Sequence, residues 1–232
     1  MEQPSISVFF PCCNEAENIT SLVEKTLNVV KGFSSDFEII IVDDGSTDGT
    51  GEIADSLAAE NKYIKAIHHQ RNLGYGSALR SGIEAARKEL IFYTDGDGQF
   101  DIAEMPQLIP LMKQYDIVSC YRINRCDSFI RKINALCWTK LVSVLFKLKV
   151  RDIDCAFKLY KRQIFRDMRL ASTGALIDTE ILARAVSNRY RITQIGVHHY
   201  PRTRGRQSGA NVKVILRAFK ELFKLRRQIK KA

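Results

Sequence analysis

Short apolar runs and amphipathic stretches take turns along the first hundred residues. Residues 5–10 read as a strand ended by Pro11, and Asn14-Glu15-Ala16-Glu17-Asn18 supplies capping residues before Ile19, Leu22, Val23, Leu27 and Val30 at helical spacing. Residues 37–42 form a second, nearly continuous apolar strand of the kind covered on both faces, followed by a helix near 52–59. A third strand at 64–68, a helix over 77–88 and a central strand ending at Ile91-Phe92-Tyr93 repeat the unit. Strands alternating with helices predict an α/β fold on a parallel sheet, with all its acidic loops on one edge.

Beyond residue 100 the pattern changes. Residues 116–120 are a strand leading to Tyr121-Arg122-Ile123-Asn124-Arg125. Residues 129–150 are strongly apolar, with Lys132, Lys140, Ser143 and Lys147 at near-helical spacing. That helix suits either core packing with one solvated edge or a membrane interface with its lysines toward headgroups. Arg151-Asp152-Ile153-Asp154-Cys155 precedes a strand at 156–160, a helix is expected over 179–186, and a strand at 192–198 delivers the cationic loop 200–209. From 212 onward Val212, Ile215, Leu216, Phe219, Leu222 and Phe223 oppose Lys213, Arg217, Lys220, Lys224 and Arg227, which predicts a basic amphipathic helix. The domain reading is one unit over 1–210, with a nucleotide-binding half (1–100) and an acceptor half (101–210), followed by the basic helix 211–232.

At 232 residues and 45% apolar the chain can bury a large core and is not disordered. Its formal charge of +10 points to an anionic partner. Residues 211–232 hold eight Lys/Arg and one Glu, so +7 of that excess sits in the last helix. Six cysteines include no C-x-x-C pair and the start, Met-Glu-Gln-Pro, lacks a basic-then-apolar leader, so reduced thiols in a cytosolic chain are expected. No run approaches membrane-spanning length.

The chemistry concentrates after the central strand, in Thr94-Asp95-Gly96-Asp97-Gly98-Gln99. Two carboxylates and an amide oxygen at a strand's carboxyl end offer hard ligands for Mg²⁺ or Mn²⁺ shared with substrate phosphates, and Gly96 and Gly98 let the backbone approach a ligand closely. The alternative is a plain surface turn, since Asp and Gly favour turns anyway. Gly74-x-Gly76 is not a dinucleotide fingerprint, because position 79 is leucine and the motif follows the wrong strand. His68-His69 and His198-His199 sit at strand ends and suit packing or a peripheral substrate contact better than zinc.

Taken in order, Pro11-Cys12-Cys13-Asn14-Glu15, Val42-Asp43-Asp44-Gly45-Ser46-x-Asp48-Gly49-Thr50, Arg71-x-x-Gly74-x-Gly76, Asp95-x-Asp97-x-Gln99, Arg151-Asp152 and the arginines at 202–206 resemble a family 2 glycosyltransferase of the GT-A fold. Over roughly residues 5–215 the likeness is nearest to the dolichyl- or polyprenyl-phosphate mannosyl- and glucosyltransferases. The resemblance implies that Pro11, Cys13, Glu15, Asp43 and Asp44 contact base and ribose, with Arg71 and Gly96 beside the donor. It places Asp95, Asp97 and Gln99 at the ion, Arg202 and Arg204 over the diphosphate, and Arg122 and Arg131 at an acceptor phosphate. Cys13 stands where the family usually has tyrosine, and Leu176 where the mannosyltransferases often have lysine. The donor therefore stays open between GDP-mannose and UDP-glucose.

The resemblance thus implies an inverting, metal-dependent hexosyltransferase acting on polyprenyl or dolichyl phosphate. It would lie peripherally on an anionic, cytoplasmic membrane face, with a membrane-protein partner left open. A hydroxyl acceptor would instead need a carboxylate base, for which Asp178 and Glu180 are candidates, Glu180 reading better as a partner of its helix dipole. A nucleotidyltransferase would release pyrophosphate rather than a nucleoside diphosphate. Nucleic acid is not expected, since basic and aromatic residues do not alternate in the single-strand-binding manner.

Overall fold

The computed structural model describes residues 3–123, 129–202 and 212–229, with the backbone alone for 129–135 and 212–220. The first hundred residues run β1 (Ile6–Cys12), α1 (Ala16–Lys31), β2 (Phe37–Asp43), α2 (Thr50–Glu60), β3 (Ile64–His68), α3 (Tyr75–Ala85) and β4 (Leu90–Thr94). The rest of the chain adds β5 (Ile117–Ser119), β6 (Tyr121–Ile123), α4 (Phe129–Phe146), β7 (Phe157–Lys161), α5 (Ile177–Ser187), β8 (Ile192–Thr193), β9 (Gly196–His198) and α6 (Val212–Ile229). The main sheet is ordered β3-β2-β1-β4-β7-β5-β8, and β6 and β9 form a separate parallel pair.

The expected α/β architecture, a mostly parallel sheet flanked by helices, is the one observed. Every residue of β1 and β2 is buried, as continuous apolar strands covered on both faces must be. Where β1 was expected to end at Pro11 it continues to Cys12. The pairing with β4 stops at Phe9–Tyr93, whereas that with β2 runs on through Pro11–Val42, so the missing proline N–H falls where β1 has no second neighbour. Helix α3 approaches β1 at Gly82, where an added Cβ would lie 2.2 Å from the Phe9 ring.

One strand breaks the parallel pattern and builds the site. β7 is wedged antiparallel between β4 and β5, with Thr94 opposite Phe157. Its amino end therefore reaches the edge where β1, β2 and β4 end, and brings residues 154–158 to the acidic loops. Residues 102–113, not anticipated as an element, form a 3-10 stretch holding Pro106 and Pro110. The single strand expected at 192–198 is split into β8 and β9.

The two apolar, basic helices are described in their side chains only from Leu136 and from Glu221 onward, so Lys132 and the expected face residues Val212, Lys213, Ile215, Leu216, Arg217, Phe219 and Lys220 lie outside the described side chains. On α4, Thr139, Val142 and Phe146 are buried, while Leu136 (65% exposed) and Val144 (73%) share the outside with exposed Lys140; the helix ends at Phe146, so exposed Lys147, at φ +57°, follows it instead of continuing its basic stripe. On α6 the buried seam is Leu222 and Leu225; Phe223 is 54% exposed beside Lys224 and Arg227. Phe223 thus leaves the apolar face assigned to it, because the Leu222–Leu225 spacing turns it outward. No described helix is long and apolar enough to cross a membrane.

Candidate active site

The loops after β1 and β2 are stitched together by side chains. Asn14 N–H donates to Ser46 Oγ (2.9 Å), Glu15 N–H to Thr50 Oγ1 (2.9 Å) and Ala16 N–H to Asp48 Oδ2 (3.1 Å). The Asp-Gly-Ser-x-Asp-Gly-Thr run therefore caps α1 from a neighbouring loop, satisfying amides that a helix start leaves open. Pro11 and Glu15 are buried beside it, and Cys13 is exposed with its sulfur 3.1 Å from Asn72 Nδ2.

Asp43 and Asp44 are buried, and their carboxylates are engaged within the protein. Asp43 Oδ1 accepts from Ser46 N–H at 3.0 Å. Asp44 accepts from Leu73 N–H and Gly74 N–H, both at 2.9 Å, and its Oδ1 lies 2.6 Å from His69 Nδ1. Asp44 thus organises the loop from Arg71 to Gly76. Arg71 itself is exposed, its backbone against Gly45. Gly74 has φ +99°, and a Cβ there would meet Thr173 O at 2.5 Å, so this loop docks on the segment before α5 only through glycine.

At the end of β4, an added Cβ on Gly96 would lie 2.6 Å from Cys12 Sγ, so the turn between the two aspartates packs against β1. Asp95 Oδ1 is buried and has no hydrogen-bond partner among the described residues. Burial, then the charge of Asp97, pushes the Asp95 carboxyl up from 3.8 to about 8. A buried, orphaned carboxylate oxygen beside a second carboxylate fits a hard divalent cation. Among the described residues no three His, Cys, Asp or Glu side chains gather as a metal cage. An ion held there by the two carboxylates would need its remaining ligands from phosphate oxygens and water, the coordination Mg²⁺ prefers and Mn²⁺ accepts. Between pH 4 and 8 the ion-free fold holds a proton on Asp95 that the unfolded chain has released, so its stability is expected to fall as pH rises through that window. Added Mn²⁺ should reverse the fall above pH 7; melting curves with EDTA and with Mn²⁺ check this.

Arg202 reaches the same loop from after β9. Its Nη2 is 2.7 Å from Glu15 Oε1 and its Nη1 3.8 Å from Asp97 Oδ2. Gln99 Nε2 donates to Tyr200 O at 2.9 Å, leaving its Oε1 as the oxygen available to an ion. Arg122 forms a two-pronged pair with Asp152, Nε to Oδ2 at 2.7 Å and Nη2 to Oδ1 at 2.8 Å. The side chain of Arg131 and the whole of Arg204 lie outside the described residues.

Beneath these groups lies a buried cluster that sequence reasoning missed in part. Lys158, fully buried, donates to Asp178 Oδ1 (2.7 Å), Tyr93 Oη (3.1 Å) and Cys155 O (2.5 Å), and Tyr93 Oη donates to Asp178 as well. Burial pulls the Lys158 ammonium down, but Asp178, the Cys155 thiol and Asp154 outweigh it and hold it above its ordinary value. Asp178 is thus half of a buried ion pair. Glu180 accepts from Ala171 N–H (3.0 Å) and Ser172 N–H (2.8 Å) and pairs with Arg184, so its observed contacts tie the loop before α5 to the helix. Asp154, half-buried, has its carboxyl lifted to about 6 by burial and by the charges of Asp178 and Asp152. Of this cluster the sequence had singled out Asp178; the signal for its partner was a lysine inside the apolar strand Phe157–Lys161.

Glycosyltransferase AglD of Haloferax volcanii is 32% identical over 207 residues, which are 85% of this chain and 33% of AglD. Dodecaprenyl-phosphate galacturonate synthase of Rhizobium johnstonii is 30% identical over 204 residues, 86% of this chain and 60% of that protein. The chain thus spans between one third and three fifths of the length of these relatives. Among solved structures, mannosyl-3-phosphoglycerate synthase from Rubrobacter xylanophilus superposes with TM-score 0.75 at 16% identity, covering 99% of this chain and 76% of that one. Glucosyl-3-phosphoglycerate synthase from Mycobacterium tuberculosis, in complex with Mn²⁺, UDP and glucosyl-3-phosphoglycerate, gives 0.69 at 20%, covering 97% and 77%. At such identities these two likenesses speak for the fold alone. The glycosyl transferase family 2 model matches residues 7–169, from within β1 to just past β7, and the chain belongs to that family.

Proposed function

We propose that the protein moves a hexose from a GDP- or UDP-sugar to a polyprenyl or dolichyl phosphate, with inversion, at the cytoplasmic face of a membrane. The observation that carries this reading is the orphaned Asp95 oxygen beside Asp97 at the end of β4. A divalent cation held by Asp95, Asp97 and Gln99 Oε1 would supply the positive charge that a departing nucleoside diphosphate needs. Pro11, Cys13, Glu15 and Asp43 would line the nucleoside side, with Asp44 and Arg71 shaping the loop beside it and Gly96 admitting the diphosphate. Arg202, with Arg204 beyond it, would add forked hydrogen bonds to the phosphates.

On the acceptor side, Arg122 and Arg131 would bind the lipid phosphate. Such a phosphate is already ionised, so it needs positioning and charge balance rather than a base. The commitment of Asp178 and Glu180 to buried contacts supports that choice. A hydroxyl acceptor would have to turn to Asp154 instead. The exposed Leu136, Val144 and Phe223, interleaved with Lys140, Lys147, Lys224 and Arg227, support peripheral docking on anionic lipid, weakened by salt.

The test is transfer from radiolabelled GDP-mannose, UDP-glucose and UDP-galacturonate, with Mn²⁺ or Mg²⁺, to a short polyprenyl phosphate or its matching alcohol. Product from the phosphate alone is expected, and Asp154→Asn should retain it. Turnover only on an alcohol or a soluble acceptor, abolished by Asp154→Asn, would overturn the reading.

A further inference from the structure

The Arg202 segment is distant in sequence from the Asp95–Asp97 loop, and a short antiparallel seam brings the two together. Phe100 bridges His199, with their rings edge to face at 5.1 Å. Tyr200 N–H donates to Gln99 O at 2.8 Å, and Gln99 Nε2 donates to Tyr200 O at 2.9 Å. A carbonyl oxygen only accepts, so the amide end facing Tyr200 is the NH₂. Gln99 therefore grips Tyr200 with both backbone and side chain.

The grip is passed on to the charge. Pro201, with its fixed φ, is the only residue between Tyr200 and Arg202. The Arg202 guanidinium then spans Glu15 at 2.7 Å and Asp97 at 3.8 Å, and Asp97 Oδ1 accepts from Gln99 N–H at 3.1 Å. Gln99, Tyr200, Arg202 and Asp97 close a ring at the place assigned above to the donor diphosphate.

We propose that Gln99 is a positioning residue for Arg202: its amide nitrogen fixes Tyr200 and so sets the guanidinium against the diphosphate of the donor. This inference rests on the donor reading above. It gives the nitrogen of Gln99 a task separate from any that its oxygen has at an ion.

Gln99→Glu separates the two tasks, because it keeps an oxygen for a cation and replaces the N–H by an acceptor facing Tyr200 O. UDP and GDP binding in Mn²⁺, measured by calorimetry, should weaken about tenfold, the scale of one net hydrogen bond. Mn²⁺ binding without nucleotide, read by electron paramagnetic resonance, should be unchanged or tighter. Gln99→Glu combined with Arg202→Ala should bind nucleotide no more weakly than Arg202→Ala alone, since the glutamine acts through the arginine. Nucleotide affinity of Gln99→Glu within twofold of the parent, full additivity with Arg202→Ala, or a loss that follows weakened Mn²⁺ binding would each overturn the proposal while leaving the donor reading intact. Failure of the parent protein to bind either nucleotide would overturn both. Because no acceptor is present, failure of lipid transfer leaves this test unaffected.

Discussion

Asp97→Ala is expected to lower hexose transfer by about 10³-fold or more, the scale set by removing a group that stabilises charge developing in a transition state. The loss has two sources, which a second substitution separates. Asp97 Oδ1 accepts the Gln99 amide at 3.1 Å, and Oδ2 lies 3.8 Å from Arg202 Nη1, so alanine disturbs the loop as well as the charge. Asparagine keeps an oxygen for the Gln99 amide and removes only the negative charge. If the carboxylate holds a cation, Asp97→Asn should be nearly as inactive as Asp97→Ala, and extra Mn²⁺ should recover part of the loss. Activity of Asp97→Asn near that of the parent would mean that the aspartate only shapes a turn.

Asp178→Asn is expected to act first on stability. Its carboxylate is the partner of Lys158, whose side chain is fully buried, and breaking such a pair from one side costs about 3–5 kcal/mol. In a chain of this size that corresponds to a fall in melting temperature of roughly 6–20 °C. Asparagine still offers an oxygen to Lys158 and Tyr93, which favours the lower end of that range. Replacing both partners, as Lys158→Met with Asp178→Leu, should recover much of the loss, because no buried charge is left alone. Where Asp178→Asn is still folded, UDP or GDP should bind. A normal melting curve together with abolished transfer would contradict the structural commitment of Asp178 to Lys158 and return it, ahead of Asp154, as the candidate base of a hydroxyl-acceptor enzyme.

These two carboxylates differ in how far local pattern exposes them. Asp95 and Asp97 follow an apolar run, and a strand that stops at acids and glycines can be read from the chain alone. Asp43 and Asp44 were legible as an acidic loop after β2, but the hold of Asp44 on Leu73, Gly74 and His69 depends on residues about 25 to 30 positions away. Lys158 was hidden for a similar reason. In Phe157–Lys161 it reads as the outward position of an alternating strand, yet β7 is wedged between β4 and β5, and the lysine closes on Asp178. The antiparallel direction of β7 arises from pairing across more than sixty residues, which periodicity within a strand does not encode. The 3-10 stretch at Ile102–Lys113 escaped notice because Pro106 and Pro110 interrupt any helical pattern. Arg202 was legible as one of several arginines in a basic loop; its pairing with Glu15, 187 positions earlier, was not.

Nucleoside diphosphate binding with and without a divalent ion bears most directly on the whole account. Calorimetric titration of UDP and GDP into the protein should give saturable binding in Mn²⁺, little in EDTA, and little in Asp95→Asn under either condition. Equal affinity in Mn²⁺ and EDTA, unaltered by Asp95→Asn, would contradict it.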